Sequence, residues 1–176
     1  MRVAEDHDPG QITGIPNPER PMTFQIHALS PAPFADLFGL SDAELAARNA
    51  RRVVVDAKPG APCRVSLRDA ELGETVLLAN HVHLDAASPY RASHAVYVRA
   101  GVEQADPAPG EVPAMIARRD LSLRALDGDG MIVDAALMPG SKTAETLGRM
   151  LAAPHVVEVH LHFAARGCYA ARATRA

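Results

Sequence analysis

The sequence predicts an α+β fold: one domain built on a mainly antiparallel β-sheet, with two or three helices packed on it. Three observations carry this. Strand-like runs outnumber helical ones, and they follow one another through hairpin-like connections rather than long crossovers. "DGDG" (Asp127–Gly130) sits between two apolar alternating runs, the strongest short-range hairpin signal a sequence offers. The chain has 176 residues, 48 % of them hydrophobic, enough for one core without metal or disulfide support. With aromatics at 4 % and no Trp, that core must be mostly Val, Leu and Ala.

The elements follow in order. Residues 1–21 hold prolines and glycines but no periodic apolar face, so they read as a flexible tail, with 22–176 as the globular domain. Met22, an alternative translation start, opens a strand, "MTFQIHAL". "SPAPFADLFGL" is a turn and a short helical turn. Ser41 then caps a helix ending near Asn49, with Glu44 completing a capping box. "RRVVVDA" is a strand with a β-branched centre, broken by "KPGAPC", and the polar, Gly73-punctuated stretch up to Glu74 is irregular.

"ETVLLANHVH" is a strand whose apolar centre, Val76–Ala79, implies burial on both faces. A loop, "LDAASPYRAS", leads to the strand "HAVYVRA", and "GVEQADPAPGEVP" is a surface loop. After the hairpin "DLSLRAL"–"MIVDAAL", Ser141 is expected to cap a helix that runs to 153 and stops before Pro154. "VVEVHLHFA" and "CYAARATRA" finish the chain as two strands around "ARG".

Charge excludes some functions. Lys plus Arg number 18 and Asp plus Glu 21, a net of −3, which gives no basic face for nucleic acid. No apolar run approaches the ~20 residues of a membrane span, and the N-terminus lacks the apolar centre of a secretion signal. A cytoplasmic protein is expected, with Cys63 and Cys168 as thiols.

Chemistry concentrates in a few stretches. Alternation along "VVEVHLHF" points Val157, Val159, Leu161 and Phe163 one way and Glu158, His160 and His162 the other. His-x-His places two imidazoles ~7 Å apart on one face, and the spacing recurs at His81 and His83. Converging pairs would suit zinc, copper or iron, with Glu158 or Asp85 as outer carboxylates. The same stripe is also what a solvated sheet face looks like. Cys168 is a candidate nucleophile, with His160, His162 or His94 as its base. Arg64, Arg91 and Arg124 recur beside turns, and a convergent set would hold an anion.

Four blocks in order, "PGAPCRVSLRDAELGE", "SPYRASHAVYVR", "LSLRALDGDGMIVDA" and "HLHFAARGCYAA", resemble the bacterial family called domain of unknown function 1203. The resemblance runs from about Met22 to Arg175 and implies no particular activity. It singles out Pro62, Cys63, Arg64, Ser66 and Asp69, then Pro89, Tyr90, Arg91, Ser93 and His94, then His160, His162, Gly167, Cys168 and Tyr169. His83 matches a family histidine, whereas His81 stands where the family often has an aromatic, and Phe163 where it usually has Asn. A shared ion would therefore rest on His83, His160 and His162 rather than on His81.

These positions lead to an expectation of one pocket shared by Cys63, Arg64, Tyr90, His94, His160, His162 and Cys168, capped by the "SPYRAS" loop. The leading reading is a small cytoplasmic enzyme acting on a small anionic metabolite. His160, His162, His94 and Cys168 would carry the chemistry, while Cys63, Arg64, Tyr90, Arg91, Ser93 and Tyr169 hold the substrate. A non-catalytic ligand-binding or sensor domain would use the same pocket. A metalloprotein built on the histidine pairs is the third reading. No nucleic-acid or membrane partner is expected.

Overall fold

A computed structural model describes residues 23–176; the expected tail, and Met22 with it, lie outside the described residues. Eight strands form two sheets. The larger has the order β1 (Phe24–His27), β8 (Tyr169–Arg175), β7 (Glu158–Phe163), β5 (Asp120–Leu126), β6 (Ile132–Pro139). The smaller has the order β2 (Ala50–Val54), β3 (Thr75–Leu84), β4 (Ala92–Val98). These strands pair antiparallel throughout, and the molecule is the expected single-domain α+β protein.

Local sequence explains most element ends. The Ser41 hydroxyl accepts from the Glu44 amide at 3.4 Å and Glu44 accepts from the Ser41 amide at 2.8 Å, so the capping box starts α1 (Asp42–Ala47). Asn49 takes a φ of +52° and releases the chain into β2. In the β5–β6 hairpin, Asp127 Oδ1 accepts from the amides of Asp129 (3.0 Å) and Met131 (2.9 Å), and Gly130 supplies the positive φ. The stretch before β3 is irregular, as expected, with two isolated bridges, Pro62 to Asp69 and Cys63 to Tyr97 of β4.

One expected cap is corrected. Ser141 does not start the last helix; it lies in a 3-10 turn, Gly140–Lys142, and α3 spans Thr143–Leu151 behind an N-cap at Lys142. The cause is close packing at Gly140, where a Cβ would stand 2.4–2.6 Å from the carbonyl oxygens of Ile116, Arg119 and Ala117. That contact fixes the turn, and Thr143 Oγ1 donates to Gly140 O at 2.7 Å instead. The short α2 (Ala114–Ala117) had no periodicity to announce it.

The core lies on one face of the larger sheet. Leu147, Met150 and Leu151 of α3 pack on Ile26, Leu121, Leu123, Val159, Leu161 and Ala173. A second cluster gathers Phe34, Leu45 and Val65 onto Leu77, Ala79, Val96 and Val98 of the smaller sheet. Among the described residues, no helix is long and apolar enough to cross a membrane. Between the sheets lies the polar face of β7.

Candidate functional site: a histidine floor between two sheets

β7 is a central strand, and its two faces are as alternation predicted. Val159 and Leu161 enter the core, while His160 and His162 face the other way, in register with Arg124 and Ser122 of β5. That polar face is not solvated. His160 is 2 % exposed and His162 0 %, because the ends of β3 and β4 cover them.

Two β-bulges shape the site. The β3–β4 register shifts between Val82 and Leu84, which makes His83 the extra residue and re-aims it. The β7–β8 register shifts between Leu161 and His162, which seats Tyr169 beside His162. The re-aimed rings then stack, His83 on Tyr169, with centroids 4.6 Å apart and planes at 15°. Bulges placed this way are a recurrent device for steering side chains at sites.

The hydrogen bonds are specific. His160 Nε2 pairs with Glu158 Oε1 at 2.9 Å, and its Nδ1 faces His83 Nδ1 at 3.2 Å. His83 Nε2 reaches His94 Nδ1 at 2.7 Å. His162 Nδ1 donates to the Gly167 carbonyl at 3.0 Å, held there by a glycine at φ +69°. The remaining nitrogen, His162 Nε2, is buried with no partner among the described residues. One ring nitrogen from each of His83, His160 and His162 lies within 4.8 Å of the others.

Burial sets the protonation. It pushes His162 down to about 3, and burial plus the neighbouring imidazoles push His83 down to about 3, so both are neutral near pH 7. Burial lowers His94 and raises Tyr169, which stays a phenol. The His160 hydrogen bond, with Arg172 behind it, holds Glu158 below the usual carboxylate range.

The single pocket expected from the blocks is two clefts that share His94. A cleft of about 300 Å³ is lined by Tyr90, Arg91, His94, Arg124, His160 and His162, among others. A wider groove of about 1290 Å³ has Arg64, His94, Phe163 and Cys168 in its wall. Cys63 lines neither: it is 0 % exposed within the second apolar cluster, and its sulfur accepts from the Ser66 and Arg99 amides. Ser93 is exposed on β4 and lines neither cleft. His81 stands apart, against Phe34 at 5.5 Å.

Cys168 is a free thiol whose sulfur accepts from Arg64 Nη2 at 3.2 Å, with no histidine bonded to it. Arg64 also donates to the carbonyls of Tyr169 (2.8 Å) and Pro62, so each of its nitrogens is engaged by protein. Arg91 pairs with Asp85 at 2.7 Å. That leaves Arg124, with no protein acceptor, as the free guanidinium of the smaller cleft among the described residues. The signal for it was alternation in "DLSLRAL", which puts Arg124 on the same face as Ser122.

The fold and this site define a single-domain α+β protein whose two sheets enclose a histidine-floored cleft. The chain belongs to the family described as "Protein of unknown function (DUF1203)", which it matches over residues 60–175. The match starts later than the resemblance suggested, after β2, and contains every residue of the cleft. No curated protein and no solved structure matches the chain.

Proposed function

We propose that this protein is a small cytoplasmic enzyme whose smaller cleft takes a small anionic metabolite. The observation that carries the reading is Arg124: a guanidinium with no acceptor among the described residues, in a cleft floored by neutral imidazoles. Leaving a cation unpaired at a partly buried site is costly, and an incoming carboxylate or phosphate oxygen supplies the missing partner. Tyr90 adds a hydroxyl, while Arg91 beside it is already paired with Asp85. His94, with its Nε2 free of protein partners and its Nδ1 on His83, is placed to exchange a proton with the bound molecule. The Glu158–His160 pair stabilises positive charge arriving on the floor. A cleft of about 300 Å³ fits a metabolite and excludes a polymer chain.

Calorimetric titration with inorganic phosphate and with small mono- and dicarboxylates tests this. At least one should bind, and Arg124→Leu should weaken it more than about tenfold, the loss of one charge-assisted pair. If nothing binds, or if Arg124→Leu binds as tightly as the parent, the reading fails. Binding with no turnover of any bound compound would make the cleft a receptor site rather than an active site.

A further inference from the structure

We propose that His83, His160 and His162 form a three-histidine site for a divalent transition metal ion, with a coordination position open to the cleft. The ligand set follows from the hydrogen bonds. Each ring has its outer nitrogen held: His160 Nε2 by Glu158 Oε1, His162 Nδ1 by the Gly167 carbonyl, His83 Nε2 by His94 Nδ1. Metal-bound histidines are oriented this way, with the outer N–H on a carboxylate, a carbonyl or another acceptor. The nitrogens left over are Nδ1 of His83, Nδ1 of His160 and Nε2 of His162, and one nitrogen from each ring lies within 4.8 Å of the others.

Without an ion, one member of that set is left bare among the described residues. The Nδ1 atoms of His83 and His160, 3.2 Å apart, share one proton between them. His162 Nε2, with its residue 0 % exposed, has no partner. A buried nitrogen left bare costs about 1–3 kcal/mol, and an ion satisfies all three at once. The spacing agrees: bonds of ~2.05 Å put two ligands about 3.3 Å apart across a tetrahedral zinc. The widest separation within the set is 4.8 Å, so binding draws a nitrogen in by roughly 1.5 Å, within reach of side-chain rotation.

The chemistry of the site selects the ion. Three neutral nitrogens suit zinc, cobalt, nickel, copper or ferrous iron and not magnesium or calcium, which want oxygen. Neutral ligands leave the ion its full positive charge, so the open position favours an anion or a water. Three protein ligands plus an open place is the pattern of catalytic rather than structural zinc. The site also joins the sheets, with His83 from the smaller and His160 and His162 from the larger. It stands without the anion reading, and each can fail alone.

The test uses protein made without an affinity tag, stripped with chelator and titrated with Co²⁺ alone, then with Zn²⁺ in competition. One equivalent of cobalt should bind with the intense visible absorption of a low-coordinate nitrogen site, and zinc should displace it. His162→Ala and His83→Asn should each weaken binding by more than about 100-fold, a first-ligand loss exceeding the 10–100-fold typical of outer partners. His81→Ala, two residues from His83 but packed on Phe34, should change nothing. Should a variant fail to fold, X-ray absorption of the cobalt-loaded parent decides, and at least three imidazoles on the metal are expected. No stoichiometric binding, binding indifferent to His83 and His162, or oxygen-dominated ligation overturns the proposal.

Discussion

Arg64 shows what a single residue does here. It is 1 % exposed and lies over the Phe163 ring at 5.0 Å, with no carboxylate within reach among the described residues. Burial pulls its pKa down from the ordinary arginine value, and three acceptors hold the guanidinium: two carbonyls and the Cys168 sulfur. Its work is therefore to tie the irregular stretch before β3 to the start of β8, which seats Tyr169. Arg64→Met, similar in volume, strands the carbonyls of Pro62 and Tyr169 and should cost about 2–4 kcal/mol in urea denaturation. A loss under about 1 kcal/mol would show that those carbonyls find water and that the tie is dispensable. The family blocks pointed to Arg64 and Cys168 together, and the two do touch. What no residue-by-residue reading could show was that the guanidinium is already engaged by backbone, unlike that of Arg124.

At the scale of elements, the two faces of β7 were legible because alternation is a property of the strand itself. Whether its polar face met water was not legible, since that depends on β3 and β4, which are far away in sequence and packed by the second apolar cluster. Nor were the bulges at His83 and Ala170, because an extra residue is defined by the partner strand's register and not by its own sequence. Ser141 looked like a cap for the same kind of reason: the contact at Gly140 is made by carbonyls of α2 and of Arg119 just after it, distant in sequence and adjacent in space. The loop capping the cleft was legible as a loop, and its anchor is the hairpin turn. Ser88 Oγ donates to Gly130 O at 2.9 Å and accepts from the Tyr90 amide at 3.1 Å. A Cβ at Gly130 would stand 2.5 Å from Ala86 Cβ, at a φ of +73°. Gly130→Ala should therefore cost about 1–2 kcal/mol from the backbone alone. It should also lift the 85–91 loop, seen as faster proteolytic cleavage there with the β5–β6 hairpin intact. Unchanged cleavage would mean that the loop holds itself.

Across the whole molecule, the two sides of β7 have opposite energetics. The Leu161 side is dry and close-packed under α3, so Leu161→Ala should cost about 2–5 kcal/mol through lost burial and a cavity. The histidine side is a seam between sheets made of imidazoles, one of which buries an unpaired nitrogen. A seam built only for stability would be apolar, because isosteric apolar replacement of a poorly satisfied polar group is neutral or favourable. Retaining polarity there is the mark of a site whose local cost is offset elsewhere in the fold. His162→Leu puts this to a number. The substitution removes the bare Nε2, and it frees the carbonyl of Gly167, a partly exposed residue. In chelator-treated protein, urea denaturation should find His162→Leu at least as stable as the parent, while Leu161→Ala, its neighbour in sequence, loses its few kcal/mol. Adding Zn²⁺ should then stabilise the parent by about 2.7 kcal/mol at a hundredfold excess over its dissociation constant and leave His162→Leu where it was. If His162→Leu instead falls as far as Leu161→Ala in the absence of metal, the imidazole is a structural member of the seam, and the histidine floor loses the energetic argument that marks it as a site.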